Sequence, residues 1–235
     1  MLALVFLLPL GTSVVASFTR DGQWSLANYE TVRRLYGWDV VYTLGVAAAG
    51  TALTFLVTIP ACGWLRVRAW GPVEFLLKVP LFVPFVVVGH ALRVFWSPYL
   101  PGFASSWAGI ATALAWKHCG LAALLMLGAF RSTDESYLEA ARQFGAGTLR
   151  LTRDVLVPMA APAIAVTAVL IFSSMLASFS IPLMMGRGGG PQMLMIDVYY
   201  RFGQHGDFAT ASALGVVAYV LAMGAALAYM RRLLR

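Results

Sequence analysis

The sequence EAARQFGAGTLRLTRDVLVP, which runs from Glu139 to Pro158, connects two long apolar segments of this chain. The loop is short, charged and rich in small residues, whereas each flanking segment has the length of about 20 residues that a membrane crossing requires. A membrane protein that only spans and conducts does not need a structured helix in such a loop. A protein that is pushed by a partner in the cytoplasm does need one.

Local signals predict two short helices in this loop. Asp134 or Ser132 can cap a helix that begins near Glu135, because a short polar side chain accepts hydrogen bonds from free backbone N–H groups. Gly145 and Gly147 are expected to end that helix, since glycine accepts the left-handed conformation found at helix ends. A second helix then continues into the next apolar segment. On these residues alone, an amphipathic connector at the lipid interface fits the loop as well as a docking knob does.

The composition indicates a membrane protein. Of the 235 residues, 60% are hydrophobic and 11% are charged, whereas soluble domains carry about 25% charged residues. We therefore expect an all-α, polytopic fold with a single transmembrane domain over residues 1–235. Six spans are predicted at about residues 2–18, 40–65, 75–96, 108–130, 155–183 and 209–229, with the cytoplasmic loop at 131–154. Pro80 and Pro84 are expected to interrupt the third span.

Basic residues predict the orientation of the bundle. Most of the lysines and arginines in the loops fall on the side that holds both termini and the loop 131–154, so this side is expected to be cytoplasmic. The net charge of +7 is thus a topology signal and does not indicate a nucleic-acid partner. The first span resembles a signal peptide around Ala16 and Ser17, but no basic residue precedes its apolar core, which favours a retained helix. The chain starts abruptly at this apolar run, so a short tail could precede it.

The loop carries a motif with a characteristic spacing. Its positions are Glu139, Ala140, Ala141, Gly145, Val155, Val157 and Pro158. This pattern resembles the EAA loop of permease subunits from binding-protein-dependent ABC importers. The resemblance implies a type I importer permease fold in a bacterial inner membrane. It also implies a coupling helix seated in a groove of an ATP-hydrolysing subunit, with Glu139, Ala141 and Gly145 at contact and hinge positions.

The same resemblance implies the partners. These are two ATP-binding subunits, a second permease that is identical or homologous, an extracytoplasmic substrate-binding protein and the lipid bilayer. The chain has no G-x-x-x-x-G-K-[ST] phosphate loop, so ATP and its Mg²⁺ are expected on the partner subunits, with no cofactor on this chain.

A second stretch points to a subgroup of the family. FSIPLMMG, from Phe179 to Gly186, is similar to the F-x-I-P-x-L-x-G stretch of the spermidine/putrescine, iron and thiosulfate permeases. Several of those members carry an acidic residue just before the phenylalanine, where this chain has Ser178. Since an intramembrane carboxylate is a natural partner for a cation, its absence counts against a polyamine or metal-ion cargo.

Ionisable side chains inside spans are costly and usually face a cavity or a partner. His90 and Arg93 in the third span, with Lys117 and His118 in the fourth, would give a positive lining suited to a small polar or anionic solute. The alternative is that Arg93 extends outward to water and Lys117 pairs with a neighbour. Two serines of the fifth span, Ser174 and Ser178, are further pathway candidates, although small residues there often serve helix packing.

Two other functional classes remain as alternatives. A secondary transporter driven by an ion gradient predicts carboxylates near the membrane midplane, and no Asp or Glu lies in any predicted span. A membrane-embedded enzyme predicts a cluster of acid and base groups, and the sequence shows none. No histidine has a partner at i+4, so a metal site is not predicted.

Overall fold

Apolar runs form helices because a segment in lipid must satisfy its own backbone N–H and C=O groups. The computed structural model describes residues 2–186 and 189–233 and confirms the all-α prediction. The helices are α1 (Leu2–Ser17), α2 (Ala27–Arg68), α3 (Gly71–Phe82), α4 (Phe85–Trp96), α5 (Trp107–Arg131), α6 (Glu135–Gln143), α7 (Thr148–Met159), α8 (Ala161–Leu176), α9 (Ser180–Met185), α10 (Leu194–Tyr199) and α11 (Phe208–Leu233). Within α7, Leu151–Leu156 is π-helical, and a second π-helical turn, Tyr200–Gln204, follows α10.

In the part of the chain that the structure describes, three helices are long and apolar enough to cross a membrane. They are α2, α5 and the segment Phe208–Leu227 of α11. Two further crossings arise if each of two bent pairs is one span: α3 with α4, bent by 107°, and α7 with α8, bent by 80°. The apolar segment Leu7–Ser17 of α1 is shorter. The six-span topology therefore stays a prediction.

The second predicted span, 40–65, lies within a much longer helix. α2 has 42 residues and is therefore about 63 Å long at ~1.5 Å per residue, roughly twice the ~30 Å thickness of the hydrocarbon core. Its first turns lie beside a small hairpin in which Thr19 pairs with Trp24 and Arg20 with Gln23. α2 is consequently longer than one membrane crossing requires.

Helix α5 forms the centre of the bundle. Most of its residues are buried, and it packs against α2, α3 and α8. Small residues make this possible because they let helix backbones approach closely. At Gly120, an added Cβ would lie 2.6 Å from the backbone nitrogen of Leu81, so the end of α3 rests directly on α5.

Two of the predicted spans are broken. The third was expected to be interrupted by Pro80 and Pro84; the break lies at Pro84, whereas Pro80 is accommodated inside α3. The fifth, predicted as one segment over 155–183, is divided by the bend between α7 and α8 and by a second break between Leu176 and Ser180. Half-span helices therefore lie in the third span, as expected, and in the fifth span, where one uninterrupted helix was expected.

Candidate functional site

The predicted knob forms as two short helices. Asp134 caps α6 and accepts a hydrogen bond from the Ser136 backbone N–H at 2.9 Å, which lowers the pKa of the Asp134 carboxyl. Gly145 has a φ of 76° and ends the turn after α6, as predicted. Gly147 does not end α6: it precedes α7 with an ordinary φ of −76°.

Four of the seven motif residues are exposed on this knob or at the end of α7. Glu139, Ala140, Gly145 and Pro158 are exposed, and Ala141 is partly buried. On the opposite side of α6, the Leu138 side chain is fully buried in the main hydrophobic core. The helix is thus anchored by Leu138, with Ala141 packed against the same core, and it presents Glu139 and Ala140 outward.

Large apolar side chains flank the motif and are also exposed. Tyr137 is 55% exposed, Leu149 74% and Phe144 90%. Singly exposed apolar residues are ordinary, whereas contiguous patches of them mark protein or membrane interaction sites. We refer to Tyr137, Phe144 and Leu149 as the apolar loop surface.

A guanidinium group ties this loop to the helix bundle. Arg66, in the last turn of α2, donates from Nε to the Phe130 carbonyl oxygen at 2.9 Å and from Nη2 to that of Thr133 at 3.2 Å. Its Nη2 also lies 2.7 Å from Glu135 Oε2 in the first turn of α6. We call this arrangement the Arg66 clasp. It joins the C-terminal ends of α2 and α5 to the start of the loop helix.

Glu135 completes the clasp with a second arginine. Its Oε1 lies 3.0 Å from Arg142 Nη1. The hydrogen bond from Arg66, helped by the one from Arg142, lowers the pKa of the Glu135 carboxyl below its ordinary value. From the sequence, Glu135 is expected only at a helix start, and Arg66 is one of the basic loop residues that predict the orientation of the bundle. The sequence feature that indicates the Arg66 clasp is the presence of two basic residues, Arg66 and Arg68, at the end of a long predicted span.

The second loop helix is fixed to α2 by direct contact. A Cβ added at Gly63 of α2 would lie 2.1 Å from the Thr152 Oγ1 atom, so only glycine allows this approach. Leu151, Thr152 and Leu156 of the π-helical turn are buried. π-helical turns interrupt regular helices at functional sites more often than elsewhere. Both loop helices are therefore attached to the bundle while their outer faces stay free.

The pathway candidates separate into two groups. Lys117 and His118 are buried in α5. His118 Nδ1 lies 2.8 Å from the Leu114 carbonyl oxygen, so Nδ1 carries the proton and donates it to this hydrogen bond. The other ring nitrogen, Nε2, lies 3.0 Å from Ser174 Oγ. Ser178 is buried, and its hydroxyl has no hydrogen-bond partner among the described residues.

His90 and Arg93 lie instead on the exposed surface of α4. Arg93 Nη1 donates to the Met184 carbonyl oxygen of α9 at 3.3 Å. The structure therefore brings His118 and Ser174 together but divides the basic candidates between a buried helix and an exposed one. In the described residues, no cluster of three or more His, Cys, Asp or Glu side chains has the arrangement of a metal site.

Comparison with known proteins identifies the family. Residues 71–235 match the family of binding-protein-dependent transport system inner membrane components. The chain belongs to this family. It shares 31% identity over 179 residues with the molybdenum transport system permease protein ModB of Escherichia coli K12, covering 68% of this chain and 77% of ModB.

Two other permeases are matched over less of their length. Identity is 31% over 130 residues with the sulfoquinovosyl glycerol transport permease SmoG of Agrobacterium fabrum, covering 54% of this chain and 42% of SmoG. It is 26% over an alignment of 245 positions with the thiamine transport permease ThiP of Brucella abortus, covering 94% of this chain and 44% of ThiP. The chain thus spans less than half the length of SmoG and of ThiP.

Solved structures share the fold. An inward-facing MetNI methionine ABC transporter superposes with a TM-score of 0.71 at 20% identity, covering 86% of this chain and 96% of that chain. A bacterial ABC transporter involved in alginate import gives a TM-score of 0.66 at 17% identity, with 97% and 91% covered. The predicted type I importer permease fold is confirmed, as is the family of inner membrane permeases.

Proposed function

We propose that this chain is the permease subunit of an ABC importer that forms part of the translocation pathway and is driven through the loop 131–154. The observation that carries the proposal is a loop that is fixed to the bundle on one side and exposes the apolar loop surface on the other. ATP and Mg²⁺ bind two partner subunits in this proposal. A second permease closes the pathway, and a binding protein delivers the cargo from outside.

The attachment of the loop supports a role in transmitting force. A push on α6 acts on α2 and α5 through the Arg66 clasp. The Arg66 side chain belongs to the end of α2 and bonds both to Phe130 at the end of α5 and to Glu135 of α6. A push on α7 acts on α2 through the contact between Gly63 and Thr152. Since α7 continues into α8, the same movement reaches the broken fifth span. Alternating access then follows from tilting these helices together, with the loop and both termini on the cytoplasmic side.

The exposed side of the loop supports a protein partner. Phe144 and Leu149 would remain in contact with water in an isolated permease, at a cost of about 25 cal/mol per Å² of apolar surface. Ala140 and Ala141 lie next to this surface and allow another backbone to approach closely. A helix resting at the lipid interface would also cover Phe144, and the experiment below separates the two.

We propose a small polar or anionic solute as cargo. His90 and Arg93 are the basic candidates on an exposed helix surface, and Ser174 and Ser178 are the candidates on the broken fifth span. The resemblance to the spermidine/putrescine, iron and thiosulfate permeases rests on the stretch that forms α9. Ser178 stands where several of those permeases have an acidic residue, which argues against a polyamine as cargo.

The test compares two strongly exposed phenylalanines, Phe144 on the loop and Phe82 at the end of α3. The affinity-tagged full chain is isolated from membranes of its own host, and copurifying ATP-binding subunits and ATPase activity are quantified. We expect Phe144→Ala and Glu139→Lys to lose most of the associated ATPase while membrane insertion is unchanged, and Phe82→Ala to retain it. A chain that isolates without an ATPase and still transports would contradict the proposal and would favour a secondary transporter.

A further inference from the structure

The break between α3 and α4 leaves backbone carbonyl groups without helical partners. Val83 is extended, with φ −78° and ψ 127°, and the chain turns by 107°. Pro84 has no N–H, so it cannot donate to the Pro80 carbonyl oxygen four residues earlier. Unsatisfied carbonyl groups inside a membrane cost several kcal/mol each. A break at this position therefore needs donors from elsewhere in the protein.

Lys117 of α5 supplies these donors. Its Nζ donates to the carbonyl oxygens of Pro80 at 2.8 Å, Leu81 at 3.1 Å and Val83 at 2.7 Å. An ammonium group has three N–H donors, so these three bonds use all of them. Nζ also lies 4.6 Å from the centroid of the Phe85 ring, which attracts a cation through its π face.

The packing around the break keeps the ammonium in place. Lys117 is 7% exposed. Gly120 lies one turn further along α5 on the same face, and its missing side chain lets the Leu81 backbone rest on α5. Buried charge is expensive in a membrane, and here it is offset by three carbonyl dipoles at the negative end of α3. The lysine and the glycine together form a seat for the end of α3.

We propose that Lys117 is a positioning residue that acts as a tethered cation and fixes the bend between α3 and α4. Unwound helices in membrane proteins use such carbonyl groups to bind free cations. In this chain a side chain takes the place of the ion. Lys117 therefore does not serve as a cargo ligand, and it acts on the pathway by orienting α4.

Fixing the bend also fixes a second half-span helix. At Gly89 of α4, an added Cβ would lie 2.8 Å from the Met184 Cβ atom and 2.9 Å from the Ile181 carbonyl oxygen, both in α9. Arg93 bonds to the Met184 carbonyl oxygen. The orientation set by Lys117 thus passes from α4 to α9 and determines where His90 and Arg93 lie.

Distances between spin labels measure the bend directly. Leu76 in α3 and Val94 in α4 are exposed and are replaced by labelled cysteines, in the full chain with Cys62→Ala and Cys119→Ala, in lipid nanodiscs. Lys117→Met keeps the apolar stem and removes the charge. We expect its distance distribution to broaden and to shift to longer values, because the carbonyl groups lose their donors and the bend opens. An unchanged distribution would contradict the proposal.

Chemical rescue separates the charge from the packing. Lys117→Ala removes three methylene groups and the ammonium, which together correspond to propylammonium. Added propylammonium should restore the parental distances, whereas propanol at the same concentration should not. Restoration by both compounds, or by neither, would overturn the tethered-cation role. If Lys117→Ala folds poorly, the protein is prepared in propylammonium, which is then exchanged for propanol, and loss of the parental distances after this exchange is the expected result.

Discussion

The loop 131–154 and the bend between α3 and α4 are both joints held by one basic side chain, but they differ in what they leave open. At the bend, the Lys117 ammonium is enclosed and all its donors are used by carbonyl groups of the same chain. At the loop, the Arg66 guanidinium holds one side, while the apolar loop surface on the other side is exposed. The comparison distinguishes a joint that holds a shape from a joint that can receive a partner.

Removing the Arg66 clasp should have the largest effect. Arg66→Ala removes one of the two arginines that bond to Glu135 and the side-chain donor to the Phe130 and Thr133 carbonyl oxygens. We expect this to lower the free energy of unfolding by about 2 kcal/mol, since hydrogen bonds to charged groups contribute ~1.5–3 kcal/mol. The melting temperature of the purified chain in detergent measures this loss. ATP-driven activity of the assembled importer should fall with it. Arg68→Ala is the matched control, because Arg68 is exposed at the same helix end and should change neither quantity.

Separating α7 from α2 should have a smaller effect on stability. Gly63→Ala places a methyl group where the Thr152 side chain already lies. Because a side chain can move aside, we expect a cost of about 1 kcal/mol, at the lower end of the range for overpacking. We expect a lower melting temperature and weaker coupling of ATP hydrolysis to transport. Gly45→Ala adds the same methyl group to α2 where nothing lies within 4 Å. Equal behaviour of the two variants would show that the contact carries no force.

These joints also show what the sequence could predict. The Asp134 cap and the Gly145 turn depend on neighbouring residues, so local signals were sufficient for the helices of the loop. The clasp joins Arg66 to a carbonyl group 64 residues away, and the seat joins Lys117 to one 37 residues away. Such bonds depend on how helices pack, which no local pattern records. From its charge alone, the sequence therefore predicts Lys117 as a pathway residue.

The broken spans show the same limit. Pro84 predicted an interruption in the third span because it lacks a donor, although the bend angle depends on α5. The second break in the fifth span contains no proline between Leu176 and Ser180, and this stretch is part of an apolar run in the sequence. Pro182 follows the break and cannot donate to the Ser178 carbonyl oxygen four residues earlier. The family motif predicted the fold, whereas the contacts that fix the loop to the bundle are visible only in the structure.

The change in melting temperature with pH that the Arg66 clasp causes should be smaller still. Because Arg66 lowers the pKa of Glu135 in the folded chain, this pair stabilises the protein fully above the ordinary carboxyl pKa of about 4.3. The contribution is lost as the pH falls through the lowered value. Melting temperatures of the parent and of Glu135→Gln should therefore differ near neutral pH and converge in acid. A constant difference across this range would show that the charge of Glu135 does not matter.

The smallest effect on stability is expected at the exposed motif residue Glu139. Glu139→Lys should leave the melting temperature of the isolated chain unchanged. The Glu139 side chain is exposed, and the ion pairs of α6 in the described residues involve Glu135 instead. Glu135→Lys is the comparison, since it replaces a partner of the clasp and should lower the melting temperature. A large loss of stability in Glu139→Lys would mean that the outer face of α6 is part of the fold and is not free for a partner.

Photo-crosslinking from position 144 is the most direct test of the loop as the entry point for force. A benzophenone amino acid replaces Phe144 in the full chain, with Phe82 as the control position, and adducts are identified in native membranes with and without ATP. We predict a covalent adduct between position 144 and an ATP-binding subunit, with a yield that changes when ATP is added, and none from position 82. Adducts with lipid alone at position 144 would contradict the docking role and would assign the loop to the membrane interface.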